Sequence, residues 1–345
     1  MTSVTLDLEA GRDAAANRRA ALLLGGLVLV NLAAWAWTWT AFHERPAMLG
    51  LALLAYAFGL RHALDADHIA AIDNVTRRFV QQGRRPVGVG FFFSIGHSAV
   101  VVAACAAIAL ASTTVQAHIG ALKAFGEVAG ALVSASFLFT VAAANLGVLF
   151  GRRRQHRHAA RHGHAGLPDA APGGLITRLV SPMLGFASSS WRMLPIGVLF
   201  GLGFDTASEI GLLGLSAAHA SGPGAVLTIM VFPMLFTVGM SLLDSIDSVM
   251  MLKAYAWALV KPRRKLYYNR IVTGLSVLIA FGVGGMELVD LVSSHNDLHG
   301  GFWKIASGLN DHSEWIGAAM LVGFALLWGA AMLVSRVQNS KESSA

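Results

Sequence analysis

The chain reads as an all-α integral membrane protein with eight transmembrane helices, and three observations carry that reading. Hydrophobic residues make up 55% of the 345 and charged residues only 13%, with a mean hydropathy of +0.60, far from the balance of an ordinary aqueous domain. Apolar runs recur at lengths that cross a bilayer, for which a helix needs roughly 17 to 25 residues to cover about 30 Å. The alternating pattern of a membrane β-barrel is absent, and helices satisfy their own backbone hydrogen bonds in lipid.

The spans follow in order as about 20–42, 47–72, 86–112, 122–150, 193–219, 225–252, 270–293 and 313–335. Of the 26 lysines and arginines, 22 fall in the N-terminal segment, in the connections after even-numbered spans, and in the C-terminal segment. The opposite side holds Arg45, Lys123 and Lys304, and Arg61 sits within a span. The positive-inside bias therefore places both termini in the cytoplasm. These loops account for the net charge of +7 and the pI near 10.0, so the basicity calls for no nucleic-acid partner. The first span is too long for the apolar core of a cleavable signal peptide. One cysteine, Cys105, lies in an apolar helix and excludes intrachain disulfides and Cys-based metal sites.

The chain divides into a membrane half at 1–150, a cytoplasmic segment at 151–192 and a second membrane half at 193–345. The middle segment contains "RRRQHRHAARHGHAGLPDAAPGG", basic and His-rich before it turns Pro/Gly-rich, and reads as a loop with little fixed structure. The halves resemble each other. "FGLRHALDADH" at 58–68 parallels "FGLGFDTASEI" at 200–210, and "FSIGHS" at 93–98 parallels "FTVGMS" at 236–241. Spans two and three thus match spans five and six, and a shift of three spans reverses direction in the membrane. That is the pattern of an inverted-topology repeat, whose binding site lies at the repeat interface near the midplane.

Ionisable side chains inside a span cost roughly 2.5 to 3.5 kcal/mol each, so a cluster of them faces protein, water or an ion. Span two carries Arg61, His62, Asp65, Asp67, His68 and Asp73, span three His97, span five Asp205 and Glu209, and span six Asp244 and Asp247. On a regular helix His62, Asp65 and His68 occupy an arc of about 120°, and Asp73 returns to the His62 face about three turns on. Asp67 points elsewhere. Either the helix is distorted, which Gly59 permits, or Asp67 bonds a histidine or Arg61 from behind. Asp205 and Glu209 share a face at i,i+4, as Asp244 and Asp247 do at i,i+3. Imidazole with carboxylate and no thiolate suits divalent Ni, Co, Zn or Fe better than Cu(I). The competing reading has the histidines bridging helices and the acids paired to Arg61.

At these residues the sequence resembles the nickel/cobalt transporter family of membrane permeases, and most closely its high-affinity nickel permeases. The resemblance rests on "RHALDADHIAAIDN", "FSIGHSAVV", "LGFDTASE" and "GMSLLDSIDS", with "KPRRKLYYN" after span six. It implies uptake of Ni²⁺, with Co²⁺ in some members, through the bacterial inner membrane. His62, Asp65, Asp67 and His68 match the central signature, and His97, Asp205, Glu209, Asp244 and Asp247 match the others. Leu64 stands where the family more often has Val or Phe, which bears on Ni/Co preference. Ser208 replaces a usual Thr and Ala99 a usual Ser. Asn31, a lone amide in span one, is a further candidate for the site.

The expected function is a secondary permease with a divalent transition-metal ion as substrate and no prosthetic group, not an enzyme. No G-x-x-x-x-G-K-[ST] loop or ATPase domain is present, so membrane potential or a proton gradient is the expected drive. A metal exporter is the alternative. An intramembrane enzyme fits less well, since H-E-x-x-H and G-x-G-D settings are both missing.

Overall fold

In the computed structural model, residues 3–110, 119–162, 189–203, 228–259, 262–298 and 300–343 are described. Helices α1 (Ser3–Phe42), α2 (Pro46–His62), α3 (Ala66–Gln81), α4 (Val89–Leu110) and α5 (Ile119–His162) form the first half. A 3₁₀ turn at Ser190–Arg192 leads into α6 (Met193–Phe200). Then come α7 (Val231–Leu259), α8 (Pro262–His295), α9 (Gly301–Asn310) and α10 (Ser313–Ser343). No strand occurs among the described residues.

Among the described residues, five helices are long and apolar enough to cross a membrane, within Gly11–Phe42, Val89–Ala107, Ala124–Leu146, Val231–Trp257 and Thr273–His295. The pair α2 and α3 makes a sixth when counted as one bent span. Of the eight expected spans, the fifth is described only as far as residue 203, and the eighth corresponds to α10, whose apolar stretch is Ser313–Leu326. The fourth span does not stop near 150: α5 stays helical to His162, twelve residues into the segment expected to be loop. Leu22, Leu29, Leu278 and Leu326 expose two-thirds or more of their surface, as side chains facing hydrocarbon would.

The largest departure from the sequence reading is span two. It is not one helix but two, bent by 50° at residues 63–65. The break has a local cause. Asp65 adopts an extended conformation (φ −60°, ψ 140°) as the residue preceding α3, a position Asp favours, and Asp67 sits in the first turn where the helix dipole welcomes an anion. Gly59 is not the point of distortion. It lies where α2 crosses α7, and a Cβ there would come within 2.2 Å of the Phe236 carbonyl oxygen. The same intimacy recurs where α4 meets α6, since a Cβ on Gly197 would lie 1.9 Å from the Phe93 carbonyl oxygen. Small residues at such crossings let membrane helices approach closely without a hydrophobic driving force.

Helix α3 is the polar axis of the bundle. It packs against α4, α5, α7, α8 and α10, and buries Asp73, Asn74, Thr76 and Arg77 together with its apolar residues. Asn74 donates to the Ala70 carbonyl (2.7 Å), and its Oδ1 accepts from Arg77 Nη2 (2.7 Å) and Asn145 Nδ2 (2.8 Å). Tyr255 of α7 donates its hydroxyl to Asp73. Asp73 therefore faces α7, and the bend keeps it from returning to the His62 face.

Candidate metal site

The break in span two places His62 at the last residue of α2, Asp65 before α3, and Asp67 and His68 in the first turn of α3. His97 comes from the middle of α4. The three imidazoles converge: their ligand nitrogens lie within 4.8 Å of one another, with His62 Nε2 to His97 Nε2 at 2.9 Å. Nitrogen ligands sit about 2.0–2.1 Å from a first-row divalent ion, so two donors to one ion are at most about 4.2 Å apart. Slight ring rotations bring all three onto a common ion.

Each ring is held differently. His62 Nδ1 bonds Asp65 Oδ2 at 2.7 Å, which leaves Nε2 as the lone-pair nitrogen aimed at the cluster. Asp65 is itself fixed by the Ser313 hydroxyl, which donates to Oδ1 at 3.1 Å. Both nitrogens of His68 and Nδ1 of His97 lack a hydrogen-bond partner among the described residues, although both histidines are buried. A buried imidazole without partners is costly unless something else occupies its lone pair. Phe93 packs edge-on against His68 with centroids 4.9 Å apart, and Phe236 lies 5.7 Å from His62.

The remaining candidates separate. Asp244 is fully buried, with Oδ2 3.8 Å from His68 Nδ1, and is not among the residues that line the cavity. Asp247 is one turn further along α7 and does not line the cavity. Asp67 bonds neither a histidine ring nor Arg61. Its Oδ1 accepts the backbone N–H of His68 at 2.8 Å, while Arg61 pairs with Glu314 at 2.8 Å. Asn31 is not at the cluster: its amide donates to the Leu27 carbonyl (2.8 Å) and the Val238 carbonyl (3.2 Å), stapling α1 to α7. Asp205 and Glu209 lie outside the described residues.

A cavity of about 620 Å³ opens onto the imidazoles, with His62, His68 and His97 in its wall. Asp65, Asp67, Glu127, Glu287, Asp290, Asp311 and Glu314 also line it, against the cationic Arg61. The sequence reading missed Glu127, Glu287 and Asp290, although the signal was the same one that marked span two, a carboxylate inside an apolar run. Glu287 is held by the Ser134 hydroxyl at 2.9 Å. Helices α2 and α6 both end at the cavity, through His62 and Phe200, and helix C-termini favour a cation.

A family profile described as high-affinity nickel-transport protein matches residues 48–334, which include every side chain of this cluster. The chain belongs to that family. Among high-affinity nickel-transport relatives it is 44% identical over 326 residues to the high-affinity nickel transport protein of Cupriavidus necator, covering 93% of each chain. It is 46% identical over 321 residues to the hydrogenase nickel incorporation protein HupN of Bradyrhizobium diazoefficiens, covering 92% of this chain and 84% of that one. The cobalt transport protein NhlF of Rhodococcus rhodochrous is 36% identical over 339 residues, with 94% of each chain covered. No solved structure matches the chain. The Cupriavidus and Rhodococcus relatives are named as nickel and cobalt transport proteins, and the chain belongs to a transport family and not to an enzyme family.

Proposed function

We propose that this protein is an eight-span permease of the bacterial inner membrane that imports Ni²⁺, binding it through His62, His68 and His97. The observation that carries the reading is the convergence of three imidazoles from two spans on one acidic cavity. Asp65 orients His62, and Asp67 and Asp244 offset the ion's charge. Asp205 and Glu209 follow Gly203, which lines the cavity, and supply further carboxylates from span five. The donor set also accommodates Co²⁺.

Direction is supported by where the cavity opens. Its lining includes His295, Asn310 and Asp311, which follow the opposite ends of the spans from the arginine-rich connections; with those connections and both termini read as cytoplasmic from the positive-inside bias, the cavity faces the outside. An inward-negative potential of 100 mV contributes about 4.6 kcal/mol to the entry of a divalent cation. No other drive is required.

An inverted repeat accounts for the site's position. Helix α2 of span two packs on α7 of span six, and α6 of span five packs on α4 of span three, the exchange that a two-fold axis in the membrane plane produces. Phe58 and Phe200, at offset 142, both line the cavity, and Phe93 and Phe236, at offset 143, both contact the imidazoles.

Uptake of radiolabelled Ni²⁺ at nanomolar concentration, with Co²⁺ as competitor, tests the proposal. Cells expressing the wild type are expected to accumulate label, and His68→Ala cells with equal membrane protein to show none above background. Undiminished uptake by His68→Ala would remove the imidazoles from the route.

A further inference from the structure

The imidazoles come from spans two and three, yet the residues on either side of His62 are held by span eight. The first turns of α10 reach three points around the break. Ser313 Oγ donates to Asp65 Oδ1 at 3.1 Å, Glu314 Oε1 pairs with Arg61 Nη2 at 2.8 Å, and a Cβ on Gly317 would lie 1.8 Å from the Leu64 carbonyl oxygen. Only the first of these contacts continues to a ring nitrogen of the cluster. The other oxygen of Asp65, Oδ2, accepts from His62 Nδ1 at 2.7 Å, and His62 Nε2 lies 2.9 Å from His97 Nε2. A hydroxyl on α10 is thus linked through one carboxylate to the ring that faces the metal. Among the described residues, His62 and Ser313 are the side chains that bond this carboxylate, which lines the cavity and is 20% exposed. The torsion that turns a carboxylate is broad, so a single bond leaves its plane free to swing, whereas a bond at each oxygen fixes it. A serine at a helix start commonly turns its hydroxyl onto the backbone of its own helix, but Ser313 directs its hydroxyl to another span.

We propose that Ser313 is a positioning residue for the metal site: by fixing the plane of the Asp65 carboxylate it sets the direction of the His62 ring, so span eight takes part in recognising the ion without supplying a ligand. The proposal rests on the import reading above. Without the hydroxyl, Asp65 keeps its bond to His62, but the carboxylate swings and the ring follows. Nε2 then spends part of its time outside the roughly 4.2 Å that two nitrogen donors to one ion allow. The loss falls on capture of the ion and not on the steps after it. The Glu314–Arg61 pair and the close approach of Gly317 to Leu64 keep α10 in place when the hydroxyl is removed. Ser294 offers the contrast. It too lines the cavity, but its hydroxyl bonds the Asp290 and Leu291 carbonyls of its own helix, at 2.9 and 3.1 Å.

Saturation curves of ⁶³Ni²⁺ uptake by cells with matched membrane protein test the assignment. Ser313→Ala is expected to raise the half-saturating concentration by about three- to tenfold, below the roughly 10- to 100-fold of a ligand's direct partner, with the maximal rate unchanged. Ser313→Thr, which keeps the hydroxyl, and Ser294→Ala, which removes one that does not touch Asp65, are expected to follow the wild type. Equilibrium binding of ⁶³Ni²⁺ to the purified full chain in nanodiscs then reads the coupling. In an Asp65→Ala background Ser313→Ala is expected to weaken binding no further, because two residues acting through one link are not additive. A Ser313→Ala curve superimposable on the wild type, an equal loss in Ser313→Thr, or the same added factor in the Asp65→Ala background would overturn the positioning role while leaving the imidazole site standing. Uptake that survives His68→Ala would instead overturn the import reading through the imidazoles, and the role of Ser313 with it.

Discussion

At the scale of single residues, the site depends on side chains that act on the ligands rather than on the ion. Asp65 is the clearest case, since it accepts a hydrogen bond from Nδ1–H of His62 and so decides which nitrogen is presented to the metal. Partners of this kind are worth 10- to 100-fold in metal affinity when removed. Asp65→Asn is therefore expected to raise the half-saturating Ni²⁺ concentration by about 10- to 100-fold with the protein still in the membrane. An uptake curve superimposable on the wild type would mean that the Asp65 carboxylate does not set the presentation of His62. His62, His68 and the acids beside them were legible in the sequence because charge in an apolar run is conspicuous. The partners were less so. That Arg61 pairs with Glu314, and Ser313 with Asp65, depends on α10 lying across the end of α2, which no local pattern announces.

At the scale of elements, the break between α2 and α3 is the feature that makes the site. A regular helix spreads His62, Asp65 and His68 over an arc, whereas the 50° bend brings both rings within 4.6 Å, centroid to centroid. The start signal for α3 was present in the sequence, as Asp65 followed by Asp67 ahead of an apolar periodicity. It was overridden by the length of the apolar run, which reads as one span. The break is wedged by α10, because a Cβ on Gly317 would lie 1.8 Å from the Leu64 carbonyl oxygen, while a Cβ on Gly323 meets nothing within 4 Å. Gly317→Ala is expected to abolish high-affinity uptake and Gly323→Ala to leave it intact, by the same radiolabel assay on matched amounts of protein. Comparable uptake by the two variants would mean that the break tolerates displacement. Deeper in α3, Asn145→Ala removes a donor to the buried Asn74 oxygen. It is expected to cost about 1 to 3 kcal/mol of stability, read as a lowered melting temperature of the detergent-solubilised protein.

At the scale of the whole molecule, composition made the membrane bundle evident, and the two halves carry two pairs of short similar segments. What composition could not convey is that the most enclosed helix, α3, is also among the most polar, because its burial is set by neighbours from both halves rather than by its own apolar content. The cavity's acidic wall has a further bearing, on kinetics. Glu127, Asp290, Asp311 and Glu314 are carboxylates of the cavity wall beyond those of the imidazole cluster. A concave, low-dielectric opening in which one sign of charge predominates, as carboxylates do here over Arg61, focuses its field and raises the encounter rate of oppositely charged solutes by about 10- to 1000-fold in favourable cases. At scarce supply, then, the rate at which the permease catches ions is governed by long-range attraction and not by how tightly the ions are finally held. Raising ionic strength from about 0.01 to 0.15 M shortens the screening length from about 30 to 8 Å. Initial uptake in vesicles at nanomolar Ni²⁺ is accordingly expected to fall several-fold over that range, while the maximal rate at saturating Ni²⁺ stays nearly constant. Equal sensitivity of both rates would place the limiting step after capture. A channel mouth of this kind is an antenna: it enlarges the target that a dilute ion must find.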